Sequence, residues 1–359
     1  MIKIIDWYII KKYLGTFIFT LSMFTIIILV FDISERLDDF LRHEAPIDKI
    51  FLNYYAGVIP FYLNMLSPLI NFIAVILFTA KMADQTEIVP ILTGGASFGR
   101  FLRPYWISSF VIFFFTLIFN LFIIPETNQL KVDFENVYIS PKTDNAKMYT
   151  HMQLNDSTYV YIENFNNTTK IGYKFTLEKF NGDNLKEKLV AERITWDSVK
   201  RVWAMESYTV RKIDGLKEQM TKGDKKDTIL DMRPSDFEIY DNIYEAMNMR
   251  ELNQRIKKEA IRGTGNMKKL ELEKYRRFVY PFSSFVLTLM GVSLSSRKVR
   301  GGVGLPLGIG IFLSFAYILF GRFSEMFALK GDLDPIIAVI IPNIIFGILG
   351  AILLYKAPK

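Results

Sequence analysis

Residues 13–31, YLGTFIFTLSMFTIIILVF, run for 19 positions without a charged side chain. An α-helix needs about 20 apolar residues to cross the hydrocarbon core of a bilayer. Five further stretches of the same kind follow: Ile50–Ala80, Pro104–Pro125, Phe278–Ser296, Gly301–Gly321 and Pro335–Tyr355. A charged side chain costs roughly 2.5–3.5 kcal/mol at the centre of a membrane helix, so charge-free runs of this length mark spans rather than chance composition. The sequence therefore predicts a polytopic α-helical membrane protein with three spans, a polar insert and three more spans. The first run exceeds the roughly 7–15 residue core of a signal peptide and lacks a small-x-small exit, so it is expected to remain as span one.

The bulk composition, 50% hydrophobic and 23% charged with a formal net charge of +7, averages very apolar spans with a charged middle. Much of the Lys and Arg flanks the spans, which favours lipid head groups over nucleic acid as the partner. The absence of cysteine excludes disulfides, thiolate metal sites and Cys nucleophiles. His43 and His151, the only histidines, stand far apart in sequence, so neither a metal site nor a His-dependent triad is expected. No G-x-x-x-x-G-K-[ST] phosphate loop occurs, and Gly301-Gly302-Val303-Gly304 opens a span without a preceding strand. No cofactor is expected, and these glycines suit close helix packing.

Six spans put both termini on one side. If that side is the cytoplasm, its segments carry Lys3, Lys11, Lys12, Lys81, Arg100, Arg103, Arg297, Lys298, Arg300, Lys356 and Lys359. The two short outer loops carry only Arg36, Arg42, Lys49, Arg322 and Lys330. The positive-inside bias favours this orientation, and long translocated segments such as the basic stretch 250–277 escape it. The predicted organisation is spans one to three over residues 1–126, a β domain outside the membrane over 127–248, an amphipathic connector over 249–276 and spans four to six over 277–359.

The middle reads as β. Tyr159, Tyr161, Phe175, Leu177, Leu189, Ile194, Trp196, Val202, Tyr208, Val210 and Ile213 fall in short runs of β-formers. Asn166-Asn167, Asn181-Gly182-Asp183 and Asp214-Gly215 punctuate them as turns. About eight strands at this spacing predict a sandwich or jelly roll. Met249–Ile261 returns to helical spacing, with Leu252, Ile256 and Ala260 on one face. Its basic face fits either water or lipid head groups.

Ionisable residues within spans usually mark the pathway of an ion-coupled transporter, and the centres of these six runs hold none. Asp32 and Arg322 lie near the outer ends of spans one and five. A chain with neither an ion site nor an ATP loop draws energy from a partner or does not pump. The loop between spans two and three, DQTEIVPILTGGAS from Asp84 to Ser97, suggests where such a partner would act. Asp84 and Glu87 have the spacing of a capping box, and Gly94-Gly95 supply a stop. The expected result is a short cytoplasmic helix of about 84–95, with an exposed acid able to enter a cleft of a soluble subunit. Pro90 fits this helix imperfectly because it lacks an N–H. An ordinary capped interfacial helix has the same spacing.

The string EIVPILTGGASFGRFLRP, Glu87–Pro104, resembles the coupling-helix region of the LptF/LptG family of lipopolysaccharide-export permeases. So do LEKYRRFVYP, Leu272–Pro281, at the entry to span four, Arg300-Gly301-Gly302 at span five and PIIAVIIP, Pro335–Pro342, in span six. The ordered set covers the whole chain. The resemblance implies an ABC transporter permease in the bacterial inner membrane, paired with a second LptF/LptG-type subunit over an LptB-like ATPase dimer. Lipopolysaccharide would pass from the membrane into a periplasmic jelly roll, then to an LptC-like protein and the outer membrane. The permease itself would not be an enzyme.

Carried onto this sequence, the resemblance makes Glu87 the ATPase-coupling acid, with Asp84, Gly94 and Arg100 around it. Family members place basic residues near the outer end of span one, where this chain has Asp32, Glu35, Asp38 and Asp39 with only Arg36 and Arg42. Arg36, Arg42 and Arg322 are the candidates for lipid phosphate contacts. Two other readings remain open at this point: an ABC mechanotransmission permease that moves no lipid, and a membrane-anchored scaffold whose β domain binds partners.

Overall fold

The computed structural model describes residues 3–139, 147–166, 169–237, 243–298 and 302–356; the Asn167 turn and Arg300-Gly301 lie outside them. Before the insert come α1 (Ile4–Arg42), α2 (Ile47–Lys49), α3 (Ala56–Met65), α4 (Ser67–Asp84), α5 (Ile88–Thr93), α6 (Phe98–Ile118) and α7 (Ile124–Tyr138). The insert holds β1 (Lys147–Asn155), β2 (Thr158–Asn166), β3 (Ile171–Asn181), β4 (Asn184–Asp197), β5 (Val202–Asp214) and β6 (Lys217–Thr228). After it come α8 (Ile243–Ala246), α9 (Met249–Arg262), α10 (Met267–Val279), α11 (Ser283–Ser295), α12 (Gly304–Lys330) and α13 (Pro335–Tyr355). Among the described residues, six helices are long and apolar enough to cross a membrane: Ile4–Arg42, Ser67–Asp84, Phe98–Tyr138, Met267–Ser295, Gly304–Lys330 and Pro335–Tyr355.

The chain divides into two compact units. One comprises Met1–Phe134, Glu245–Met249 and Glu271–Lys359; the other comprises Glu135–Tyr244 and Arg250–Leu270. In the helical unit α4 is central. Ile9, Tyr13, Ile70, Ala74, Phe78, Phe101, Tyr105 and Val292 form one cluster, and Phe72, Ile76, Leu287, Met290, Tyr317 and Phe346 form another. In α1 the buried residues Ile9, Tyr13, Phe17 and Thr20 recur every three or four positions, as one face of a helix requires. Its outer side exposes Ile18, Phe19, Ile26 and Phe31, and α12 exposes Phe312, Phe315, Phe323 and Phe327. Such faces are stable against hydrocarbon. Between spans there is no hydrophobic gain over lipid contact, so close van der Waals packing and polar bonds fix their arrangement. The Tyr13 hydroxyl lies 2.7 Å from both Asn71 Oδ1 and Thr288 Oγ1, and Asn71 Nδ2 donates to the Ser284 carbonyl at 3.2 Å. Bonds of this kind contribute about 0.6–2 kcal/mol each.

Three of the predicted runs are not uniform helices. The run 50–80 begins with a π-helical turn, Ile50–Tyr55, and breaks at Leu66 between α3 and α4. Pro68 has no N–H to donate, and its ring disfavours helical backbone just before it. The Tyr280 hydroxyl, from the 3-10 turn Tyr280–Phe282, donates to the Met65 carbonyl at this break. A neighbouring span thereby satisfies a backbone group that lipid cannot. Span three extends past the expected boundary at 126, through a π turn at Phe119–Ile123 into α7. The π turn accommodates Pro125, and the Thr127 hydroxyl donates to the Ile123 carbonyl at 3.0 Å.

The insert is a β domain, as the sequence predicts, but its described strands are six rather than about eight. They form one antiparallel meander in sequence order rather than two separate sheets. Asn181-Gly182-Asp183 and Asp214-Gly215 make the β3–β4 and β5–β6 turns. All the named β-formers fall within β2–β5.

One level of the sheet is irregular in every strand. Tyr149, Glu163, Lys174, Glu192, Ser207 and Asp224 are left out of the paired register there, in addition to single bulges at Gln153–Asn155 in β1 and at Lys179–Phe180 against β4. Tyr149, Lys174 and Ser207 adopt φ of 54°, 52° and 51°, as in bulges. The inward-facing positions accordingly step by three at this level: Ile162 to Phe165, Gly172 to Phe175, Ala191 to Ile194, Met205 to Tyr208. A slip in one strand alone would turn its apolar residues outward. Because every strand is interrupted at the same level, the pairing resumes in the same register beyond it and one inner face is kept. A single core cluster, including Val160, Phe175, Leu189, Ile194 and Trp203, spans both sides of this level.

The segment after β6 closes that face. Trp203 Nε1 donates to the Met232 carbonyl at 3.0 Å, and the Phe237 ring lies 4.5 Å from that of Phe165. Asp236 pairs with Arg255 at 2.5 Å and Arg262 at 2.6 Å. Burial pushes the Asp236 carboxyl up, but the Arg262 bond, the Arg233 N–H and both guanidinium charges outweigh it and hold the group below the usual carboxylate range. Helix α9 forms as predicted. Leu252 is its most deeply buried apolar residue, Ala260 is exposed, and Glu259 and Arg262 turn inward instead.

Candidate coupling site

The loop between spans two and three is built from two helix stops around a short helix. Helix α4 ends with Thr86 at φ 57°, the Thr86 N–H bonded to the Ala83 carbonyl and the Glu87 N–H to Met82 at 2.9 Å. This is the Schellman pattern, with Thr in the left-handed position that Gly normally takes. The expected capping box is therefore not formed. Asp84 is the last residue of α4, and Glu87 sits at the N-cap of α5 without a side-chain cap bond. The ending of α4 uses the backbone of residues 82–87, which removes Asp84 from the start of the next helix.

Helix α5 is six residues, Ile88–Thr93, shorter than the expected 84–95. With Ile88 first, Pro90 lies in the opening turn, where an N–H has no helical partner to lose. Gly94 follows the last helical residue and Gly95 takes φ 89°, with its N–H on the Leu92 carbonyl at 3.1 Å. Ser97 then caps α6, its hydroxyl accepting from the Arg100 N–H. Ile88 is buried in the cluster with Ile9 and Tyr13, whereas Val89 and Pro90 face outward.

The first turns of α1 lie against this loop. The Tyr8 hydroxyl is 3.0 and 3.2 Å from the two carboxylate oxygens of Glu87. Arg100 makes a two-pronged pair with Asp6, at 2.7 and 2.6 Å, and the Lys3 N–H donates to the same carboxylate at 2.8 Å. Lys298 donates to the Asp84 carbonyl at 3.2 Å, and Arg297 donates to that of Lys356. The start of α1, the α4–α6 loop, the end of α11 and the end of α13 thus share one end of the helical unit. Glu87, Asp84, Gly94 and Arg100 lie on one loop, but Arg100 is engaged by Asp6. Nothing in the sequence flags Tyr8 or Asp6, which lie 79 and 94 residues from their partners.

At the opposite end, Asp32 is buried and accepts from the Tyr54 hydroxyl at 3.1 Å. Arg36 is 3.6 Å from Asp39 on the same helix, and Arg42 is exposed in the last turn. Arg322, 3.5 Å from Glu325, lines a cavity of about 90 Å³ together with Asn64, Asn120, Glu273, Arg276 and Tyr280. Arg276 bridges Glu273 and Glu245, at 2.5 and 3.1 Å. Arg277 reaches Glu273 at 2.8 Å and the Met247 carbonyl at 2.7 Å. Buried charges persist only when paired and hydrogen-bonded, as these are. The three- and four-residue spacing of Glu273 to Arg276 and Arg277 is visible in the sequence; the approach of Glu245 is not.

No curated protein matches the chain. A family model described as "Lipopolysaccharide export system permease LptF/LptG" matches residues 7–356, spanning both helical halves and the β insert. The chain therefore belongs to the LptF/LptG family of lipopolysaccharide export permeases.

Proposed function

We propose that this chain is one half of an ATP-driven machine that extracts lipopolysaccharide from the inner membrane and hands it to a periplasmic bridge toward the outer membrane. Its partners are a second LptF/LptG-type permease, an LptB-like ATPase dimer on the cytoplasmic side and an LptC-like periplasmic protein. The termini and the α4–α6 loop face the cytoplasm, and the β domain faces the periplasm. Lifting a many-chained lipid out of a bilayer costs about 0.8 kcal/mol per exposed methylene, which calls for both ATP and a shielded apolar path.

The observation that carries this reading is the α5 cassette: an acid at the N-cap and an outward Val89-Pro90 surface on a six-residue helix, anchored through Ile88 at the end of the unit that holds both described chain ends. Such a helix can seat in a cleft of a soluble subunit and pass its motion to the spans. Purification from the host is expected to bring an ATPase with the chain, and Glu87→Ala to weaken that association or its coupling to lipid transfer. Wild-type coupling in Glu87→Ala sinks the assignment of this residue. Alkaline phosphatase fused near residue 200 is expected to be active; an inactive fusion there reverses the orientation. ATP hydrolysis that lipopolysaccharide does not stimulate would favour the mechanotransmission reading.

A further inference from the structure

We propose that the first two turns of α1 are the linkage through which displacement of the Glu87 helix reaches span one, with Tyr8 and Asp6 as its positioning residues. The proposal rests on the reading that Glu87 meets the ATPase, and it names the route by which that contact acts.

Three attachments join α1 to the loop, and they bracket it. Tyr8 holds the carboxylate of Glu87, at the start of α5. Asp6, buried to 3% exposure, grips Arg100 beyond its end with two short bonds. Between them Ile88 is packed in the cluster of Ile9 and Tyr13. A two-pronged guanidinium–carboxylate pair fixes direction as well as distance, which a single lysine contact does not.

The loop itself has two turning points. Thr86 and Gly95, the left-handed residues that end α4 and α5, lie just before Glu87 and just before the Ser97 cap. Rotation at these points moves α5 as a body, and the grips on both sides carry that movement to one short stretch of α1. The same helix presents Ile18, Phe19, Ile26 and Phe31 outward further along, so rotating its start changes the surface it offers to lipid.

Two measurements test this. The first uses the chain alone in lipid nanodiscs, followed by hydrogen exchange. Linkage is reciprocal, so Glu87→Ala is expected to speed exchange in the first two turns of α1 by about ten-fold, and Tyr8→Phe to speed it across residues 84–97. Unchanged exchange at the distant segment in both variants overturns the proposal, whether or not an ATPase binds.

The second uses the complex with its ATPase in vesicles containing lipopolysaccharide. Tyr8→Phe is expected to retain the ATPase and hydrolyse ATP, yet move about five-fold less lipid per ATP. Asp6→Arg and Arg100→Asp are expected to uncouple singly, and their combination to recover at least half of the ratio. An unchanged lipid-per-ATP ratio in Tyr8→Phe overturns the linkage. Failure of the unaltered chain to bind an ATPase instead removes the functional reading on which it rests.

Discussion

The Tyr54 hydroxyl donates to Asp32 Oδ1 at 3.1 Å, and Asp32 is buried. This acid, toward the C-terminal end of span one, therefore turns into the helical unit rather than toward the lipid side. Its place in the sequence looks opposed to an anionic cargo, but its side chain is committed to a tyrosine. Asp32→Asn preserves an acceptor and is expected to leave thermal stability within about 1 kcal/mol, whereas Asp32→Ala removes this buried hydrogen bond at a cost of about 1–3 kcal/mol. Thermal unfolding in detergent, compared for the two variants, checks the difference.

The stops around α5 give a second expectation. Left-handed backbone costs a β-branched residue roughly 1–2 kcal/mol, which Thr86 bears and Gly95 avoids. Gly95→Ala is expected to loosen the loop and Thr86→Gly to tighten it, each by about 1 kcal/mol. Amide exchange at Glu87, Gly95 and Ala96 reads both changes, and equal rates in the two variants contradict the assignment of the stops.

In the β domain, Tyr208 pairs across strands with Gly223, and a Cβ at Gly223 would come within 2.5 Å of the Tyr208 hydroxyl oxygen. The ring covers the place where a side chain would stand. Gly223→Val forces the ring away and is expected to cost about 1–3 kcal/mol as an overpacked site. Faster exchange confined to peptides of β5 and β6 is the signature; a uniform change across the chain is not.

Asp236 sets a pH dependence. Its folded pKa lies below the ordinary aspartate value of about 3.9, so it contributes stability that is complete above that value. The contribution is lost as pH falls through the lower folded pKa, when the carboxylate facing Arg255 and Arg262 is protonated. Acid titration followed by exchange at β5, whose Trp203 donates to the Met232 carbonyl, is expected to show this loss below about pH 4. Asp236→Asn is expected to start less stable and to lack that step.

Much of the fold is legible in one dimension because its forces are local. Charge-free runs mark spans, since a charge in hydrocarbon is costly wherever it falls. The three-residue steps such as Ile162 to Phe165 follow from bulges that all strands share at one level, which a period-two reading of single strands does not anticipate. The same locality explains the misreading of Asp84 and Glu87. Their spacing fits a capping box, but the backbone of Met82 and Ala83 had already claimed that turn as the end of α4.

The sequence by itself determined the class of molecule, the three-plus-three order of spans, the β insert and the loop that holds Glu87. Tertiary structure alone decided what that loop holds on to. Tyr8 and Glu87, Asp6 and Arg100, Asp32 and Tyr54, and Glu245 and Arg276 meet only because the helices pack in one particular arrangement. Backbone propensity and hydropathy act over a few neighbouring residues, whereas the direction of a side chain at a helix end is set by whichever distant donor the packing brings within hydrogen-bonding distance.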